Sequence, residues 1–236
     1  MRRMMLFVTV ALVAVAMIAA GAFPTFAKEQ TKTMGEGRGV GAGACGVPSV
    51  EHGTIQAAVD DPSCQPIVLN DDLDPVQVGT TIDRDVRLTG DVIIDSRGKS
   101  AFTILPGNTV TFEDFLIDGG GGASVEQGGG IYNQGTLLLN NVSVRSSSAT
   151  NGGGIYNEGT LTIQEEDGGR SSVFLNTAAS NGGGIYNQGT LYLCGATVTE
   201  NEAPPGIEDN ISGTPAQQCR RAHQEKDPPR EGTGSS

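Results

Sequence analysis

Apolar and polar residues alternate in short runs through the middle of the chain. Thr136-Leu137-Leu138-Leu139 leads through Asn140 and Asn141 to Val142-Ser143-Val144. The same order returns as Thr160-Leu161-Thr162-Ile163 with Val173-Phe174-Leu175, and again as Thr190-Leu191-Tyr192-Leu193 with Ala196-Thr197-Val198. Period-two patterning over so few residues predicts strands with one buried face. Gly, Asn and Ser fill the gaps between runs and supply turns. No stretch of this region has room for a helix.

The runs belong to a longer repeat. GGGIYN, one variable residue and GTL occur at Gly128–Leu137, Gly152–Leu161 and Gly182–Leu191, so successive copies start 24 and 30 residues apart. Spacings of that order mark solenoids, propellers or arrays. The frame extends upstream without the glycines: Val110, Phe112, Phe115 and Ile117 take the places of Leu137, Leu139, Val142 and Val144, and Val86, Leu88, Val92 and Ile94 come one period earlier. Ile104, Ile131, Ile155 and Ile185 are expected in one register. The long repeat holds the extra run Glu165–Arg170, read as an exposed loop.

Three short strands per repeat, inward residues in vertical register and no helix predict an all-β fold. It is a right-handed parallel β-helix of three-strand coils, about six coils long, with a short capping helix before it. Coils stack at about 4.8 Å. Asn133, Asn157 and Asn187 fall at one corner and are expected to form an asparagine ladder.

GGGIYNxGTL followed by a second alternating strand resembles the right-handed β-helix repeat proteins of the pectate-lyase-like superfamily. It is also similar to the GG-x-I repeats of bacterial polymorphic outer membrane proteins. Thr54–Asp60 followed by Ile67–Leu69 looks like the amphipathic helix and first strand that open such β-helices. The resemblance spans residues 49–213. It implies a fold that carries lyases, hydrolases, adhesins and structural proteins alike, so activity must be argued from a site.

Arg2 and Arg3, an apolar run from Leu6 to Ala20 and small residues after it have the layout of a secretory signal peptide. Cleavage after Ala27 is expected, with Ala22 as the alternative. Residues 28–48 read as a disordered linker, 49–213 as the β-helix and 214–236 as a disordered tail. No second apolar stretch follows, so no transmembrane segment is expected in the mature chain. The four cysteines fall as Cys45 and Cys64 around the opening helix and Cys194 and Cys219 around the last coil. In an exported chain, pairing within each end staples both caps; four cysteines allow three pairings. A zinc site is the alternative, but there is no CxxC. Net charge is −12, which argues against nucleic acid as partner and leaves cations, neutral glycans or a surface protein.

Chemistry is thin. Asp95, Asp118 and Arg145 share one outward position in consecutive coils, with Asp83, Asp85, Asp91 and Asp114 near in sequence. Lyases of this superfamily bind Ca²⁺ through strand carboxylates and use Arg or Lys as base, so this column is the one candidate site for that chemistry. Its bland reading is an ion-paired surface ladder. No metal and no cofactor is otherwise expected, and no catalytic residue is assigned. Thr109, Thr136, Thr160 and Thr190 form an outward column explained by strand propensity. Ile93, Leu116 and Phe174 point outward beside Ser143 and Thr197, a stripe suited to a partner. The expected role is a secreted or cell-surface module that binds glycan or protein without catalysis; the alternative is a small Ca²⁺-dependent polysaccharide lyase.

Overall fold

The computed structural model describes residues 43–47, 53–70, 79–166 and 168–219. The signal peptide (1–27), His52, His223 and most of the expected linker and tail lie outside the described residues. Three parallel sheets wrap one axis in a β-solenoid of about six turns. The first sheet runs Cys45–Val47, Ile67–Leu69, Val86–Thr89, Thr109–Glu113, Thr136–Asn140, Thr160–Gln164, Thr190–Cys194 and Gln217–Gln218. The second begins at Ile93–Arg97 and ends at Thr197–Thr199; the third begins at Thr80–Ile82 and ends at Ile211–Gly213.

Each inward column stacks a residue on its counterpart one coil away. Val86, Val110, Leu137, Leu161 and Leu191 align in the first sheet, and Ile94, Ile117, Val144 and Val173 in the second. All nine are buried. Removing one such Leu or Ile from water is worth about 1.5–3 kcal/mol, and repetition along the axis makes this the main stabilising term. Toward the N-terminal end the rings of Phe102, Phe112 and Phe115 fill the axis, with Phe102 and Phe112 centroids 4.6 Å apart.

The third sheet departs from the expected register at one place. Ile131 pairs with Phe102, and Ile104 pairs with Asn133. Both positions face inward, two residues apart, so periodicity alone could not separate them. The consequence is physical: Ile104 occupies the asparagine position one coil early, so the buried amide column starts at Asn133.

That column is continuous. Asn133 Nδ2 donates to Asn157 Oδ1 at 2.7 Å, and Asn157 Nδ2 donates to Asn187 Oδ1 at 2.7 Å. All three side chains are fully buried. Their amides also donate to the carbonyls of Thr160, Thr190 and Thr214. A buried amide is affordable only with such partners. The glycines two residues on, Gly135, Gly159 and Gly189, sit where no Cβ fits: one at Gly159 would run into the Gly135 carbonyl oxygen, and one at Gly189 into that of Gly159.

Corners turn on single residues in the left-handed region. Asp114 and Asn141 (φ 60° and 54°) lead from the first sheet into the second. Ser146, Leu175 and Glu200 (φ 53°, 55° and 56°) bend the second-sheet strand. The bend splits that strand into Ser143–Arg145 and Ser148–Asn151, both paired with the unbroken strand Leu116–Gly121. Gly128, Gly152 and Gly182, at φ 57° to 61°, open the third sheet. At the bend a second asparagine column follows: Asn176 Nδ2 donates to Asn201 Oδ1 at 2.9 Å, and Asn201 Nδ2 to Asn210 Oδ1 at 3.0 Å. Ser147 holds the equivalent place one coil earlier, its backbone N–H donating to Asn176 Oδ1.

A six-residue helix, Ile55–Asp60, buries Ile55, Ala58 and Val59; Thr54 Oγ1 accepts from the Ala57 N–H as N-cap. Its last carbonyls would be orphaned. The Arg84 guanidinium meets them, donating to the backbone oxygens of Ala58, Val59, Asp61 and Cys64 at 2.6–3.1 Å. Disulfides join Cys45 to Cys64 and Cys194 to Cys219, across 19 and 25 residues. Loops of that size give about 3 kcal/mol each in the chain-entropy treatment. The cysteines anchor strand pairing beyond the expected limits. Cys45–Val47 lies within the segment expected as linker and Gln217–Gln218 within the expected tail, yet both pair into the first sheet.

Leu161→Asp is expected to unfold the middle coils, because an unpaired buried charge costs several kcal/mol; an unchanged circular-dichroism melt for this variant would contradict the assigned core. Asn157→Ala leaves Asn187 Oδ1 without its donor and should cost roughly 1–3 kcal/mol. Chemical denaturation read by circular dichroism measures that difference, and a midpoint equal to wild type would show the ladder to be energetically idle.

Candidate binding face

The outer surface of the second sheet carries two columns. One runs Ile93, Leu116, Ser143, Ser172, Thr197; the other runs Asp95, Asp118, Arg145, Phe174, Thr199. Ile93 is 56% exposed, an apolar patch at the N-terminal end of this face. The face thus changes along the axis from aliphatic and acidic, through an ion pair, to aromatic and hydroxylic.

The acidic column stands where its spacing put it, and the structure shows what it is committed to. Arg145 Nη2 donates to Asp118 Oδ2 at 2.8 Å, with both side chains partly exposed. Asp95 is one coil below in register. Two of the neighbouring acids are engaged in coil contacts: Asp85 Oδ1 accepts from the Thr109 N–H at 2.7 Å and Asp114 Oδ1 from Asn141 Nδ2 at 3.2 Å. Ca²⁺ takes about six to eight oxygen ligands. Among the described residues no group of three or more His, Cys, Asp or Glu is placed to hold a metal ion.

Phe174 leads to a feature the alternation could not reveal. An open cleft of about 430 Å³ lies over the last coils. It is lined by Ser172, Phe174, Thr197 and Thr199 of two paired strands, with Glu165 and Arg170 from the corner before the first strand and Glu200 from the bend after the second. Three choices build it. The longer first corner of this repeat carries Glu165 and Arg170 between the paired positions Gln164 and Ser172. Glu200 occupies the left-handed bend position, which points it out of the core. Gly195 leaves space beneath the Glu165 carboxylate, whose Oε2 would lie 3.3 Å from a Cβ there.

The wall is held in place. Glu166 accepts from Asn140 Nδ2 at 2.9 Å and Gln164 Nε2 at 2.8 Å, and its N–H donates to Asn141 Oδ1 at 3.1 Å. The insertion is therefore exposed, as its composition implies, but tied at its base to the preceding coil.

A second outward feature lies on the third sheet. Tyr132, Tyr156 and Tyr186 stack edge-to-face with centroids 5.4 and 5.3 Å apart. The variable residue of each repeat forms a row beside them. Tyr132 Oη donates to Glu158 Oε2 at 2.7 Å, Gln134 Nε2 donates to the same oxygen at 3.0 Å, and Gln188 Nε2 donates to Tyr186 Oη at 3.1 Å. Burial, and then the Glu158 carboxylate, push the Tyr132 phenol well above its ordinary value of 10.0. Burial and Glu158 push Tyr156 in the same direction. Tilted rings in mutual contact offer no flat platform, so the row serves packing. Its signal was plain in the sequence, a Tyr at the same place of every copy.

The chain matches no protein-family model, no curated protein and no solved structure. Among the described residues no helix is long and apolar enough to cross a membrane.

A spectrophotometric titration at the tyrosinate band should show Tyr132 and Tyr156 ionising above the ordinary 10.0. Their folded pKa is raised, so the stability they contribute is full below pH about 10 and declines as pH climbs from there toward the folded values. Loss of this late component in the double variant Tyr132→Phe/Tyr156→Phe is the expected control; an ordinary titration of both phenols in the folded chain would refute the assignment.

Proposed function

We propose that this protein is an exported, non-catalytic β-helix that binds a glycan on the outer face of its second sheet, with the cleft around Phe174 as the contact point. The observation that carries the reading is the cleft itself: one aromatic ring, three hydroxyls and three charged groups, open to solvent. Glycan sites need this mixture, an apolar surface for the ring and a few placed polar groups for orientation. The two disulfides and the signal-like N-terminus accord with export. Membership of the pectate-lyase-like superfamily is part of the same proposal and rests on the repeat and the parallel coils.

Catalysis is the weaker reading. A Ca²⁺-dependent lyase would use Asp95 and Asp118 as metal ligands and Arg145 as base. Arg145 instead donates to Asp118, which lowers the charge available for a cation and commits the guanidinium to an ion pair. The column offers two carboxylates, and among the described residues no group of three or more His, Cys, Asp or Glu is placed to hold a metal ion.

Phe174→Ala should lower affinity for the bound glycan at least fivefold, taking about 1 kcal/mol from the complex, while leaving the melting curve in place. Binding of the full chain to an immobilised panel of neutral, basic and acidic oligosaccharides measures this. Unsaturated product from any acidic oligosaccharide, or full binding by Phe174→Ala, would defeat the proposal.

A further inference from the structure

The cleft also carries information about which sugar it takes, on the reading that it is a glycan site. Its charged groups are Glu165 and Arg170 from the first corner and Glu200 from the bend of the next coil. Two carboxylates against one guanidinium leave the cleft net negative. One coil away Arg145 pairs with Asp118, and Asp95 follows in the same column. The face is therefore acidic along its length, and the cleft is where its carboxylates share a lining with an aromatic ring and hydroxyls. The chain as a whole is acidic too, at −12, so it repels uronates and sulfated sugars and draws cations.

The aromatic group points the same way. Phe174 shares the cleft lining with both carboxylates and stands in the second column, one coil from Arg145 and one from Thr199. A ring face attracts a cation above it, and the attraction adds to that of nearby carboxylates. Thr197 and Thr199 present hydroxyls that can both donate to and accept from sugar hydroxyls, while the Ser172 hydroxyl already shares a hydrogen bond with that of Ser143. A volume of about 430 Å³ is near the low end for ligand pockets, room for one or two sugar rings rather than a long chain.

We infer that the cleft binds an amino sugar in its protonated form, the ammonium directed at the carboxylates of Glu165 and Glu200 and the ring resting on Phe174. Glu166 is a positioning residue: bonded to Asn140, Asn141 and Gln164, it sets where Glu165 stands. N-acetylation of the ligand removes the charge and with it the reason for two carboxylates.

Calorimetry of the full chain with a glucosamine tetramer and with an N-acetylglucosamine tetramer, at mildly acidic pH, tests this. The glucosamine tetramer is expected to bind about tenfold tighter, and the preference should shrink as salt is added. Glu200→Gln should weaken the glucosamine tetramer severalfold and leave the acetylated one unchanged. Phe174→Leu should weaken both. Glu208→Gln, an exposed acid outside the cleft lining, removes the same charge and should change neither. Equal affinities for the two tetramers, both weakened by Phe174→Leu, would overturn the amino-sugar inference and leave the glycan reading standing. A Glu208→Gln loss as large as that of Glu200→Gln would overturn it as generic charge attraction. A lysine peptide of equal charge binding tighter than glucosamine would overturn it in favour of a protein ligand. Binding of neither tetramer, with Phe174→Ala also silent across the oligosaccharide panel, would overturn inference and reading together.

Discussion

Parallel coils stacked in register force every inward residue to lie on its own counterpart. Strands about 4.8 Å apart place identical chemistry at nearest-neighbour distance, so a column is all apolar or its polar members must bond to each other. Leu137, Leu161 and Leu191 satisfy the first condition. Asn133, Asn157 and Asn187 satisfy the second, because an amide carries both a donor and an acceptor and can pass the bond along. A carboxylate column could not, since like charges at that spacing repel. The same logic stacks Asn176 on Asn201 at the bend, and Asn210 from the closing loop accepts the last amide.

Corners relieve what the strands demand. A single left-handed residue turns the chain, so a coil can change length at a corner without moving its strands. The insertion ending at Arg170 shows it. Val144 and Val173 stay in register across it, as do Leu139 and Ile163. The added residues go outward, and Glu166 ties them to Asn140 and Asn141. The cleft is thus a by-product of a solenoid that takes most of its added length at a corner, with one further residue absorbed as a bulge opposite Ala149–Asn151. Function on such a scaffold is written in loops, while the repeat supplies the rigid ground.

Electrostatics divides the outer face. Where opposite charges fall on adjacent coils, as Asp118 and Arg145 do, they cancel and contribute little at a partly exposed site. Where the insertion and the bend bring Glu165 and Glu200 into one lining with an aromatic ring, the charges remain directed at solvent and at whatever enters. Column position decides the first case and corner geometry the second.

The sequence by itself determined the coil: alternation set the strands, the GGGIYN spacing set the period, and identical residues at one phase named the Leu, Ile and Asn columns. It also paired Asp118 with Arg145, because vertical register is a consequence of the period alone. It did not distinguish Ile104 from Phe102 as partner of Ile131, since both face inward and a shift of two keeps the face. It did not reveal the second asparagine column, whose members Asn176 and Asn201 follow Leu175 and Glu200, residues with nothing in common except a left-handed backbone. Arg84 was equally silent, its four carbonyl partners lying 20 to 26 residues back in the chain. The cleft belonged wholly to the tertiary structure. Glu165, Phe174 and Glu200 come from two corners and a strand of different coils, and only the wrapping of the chain about its axis brings them to one place.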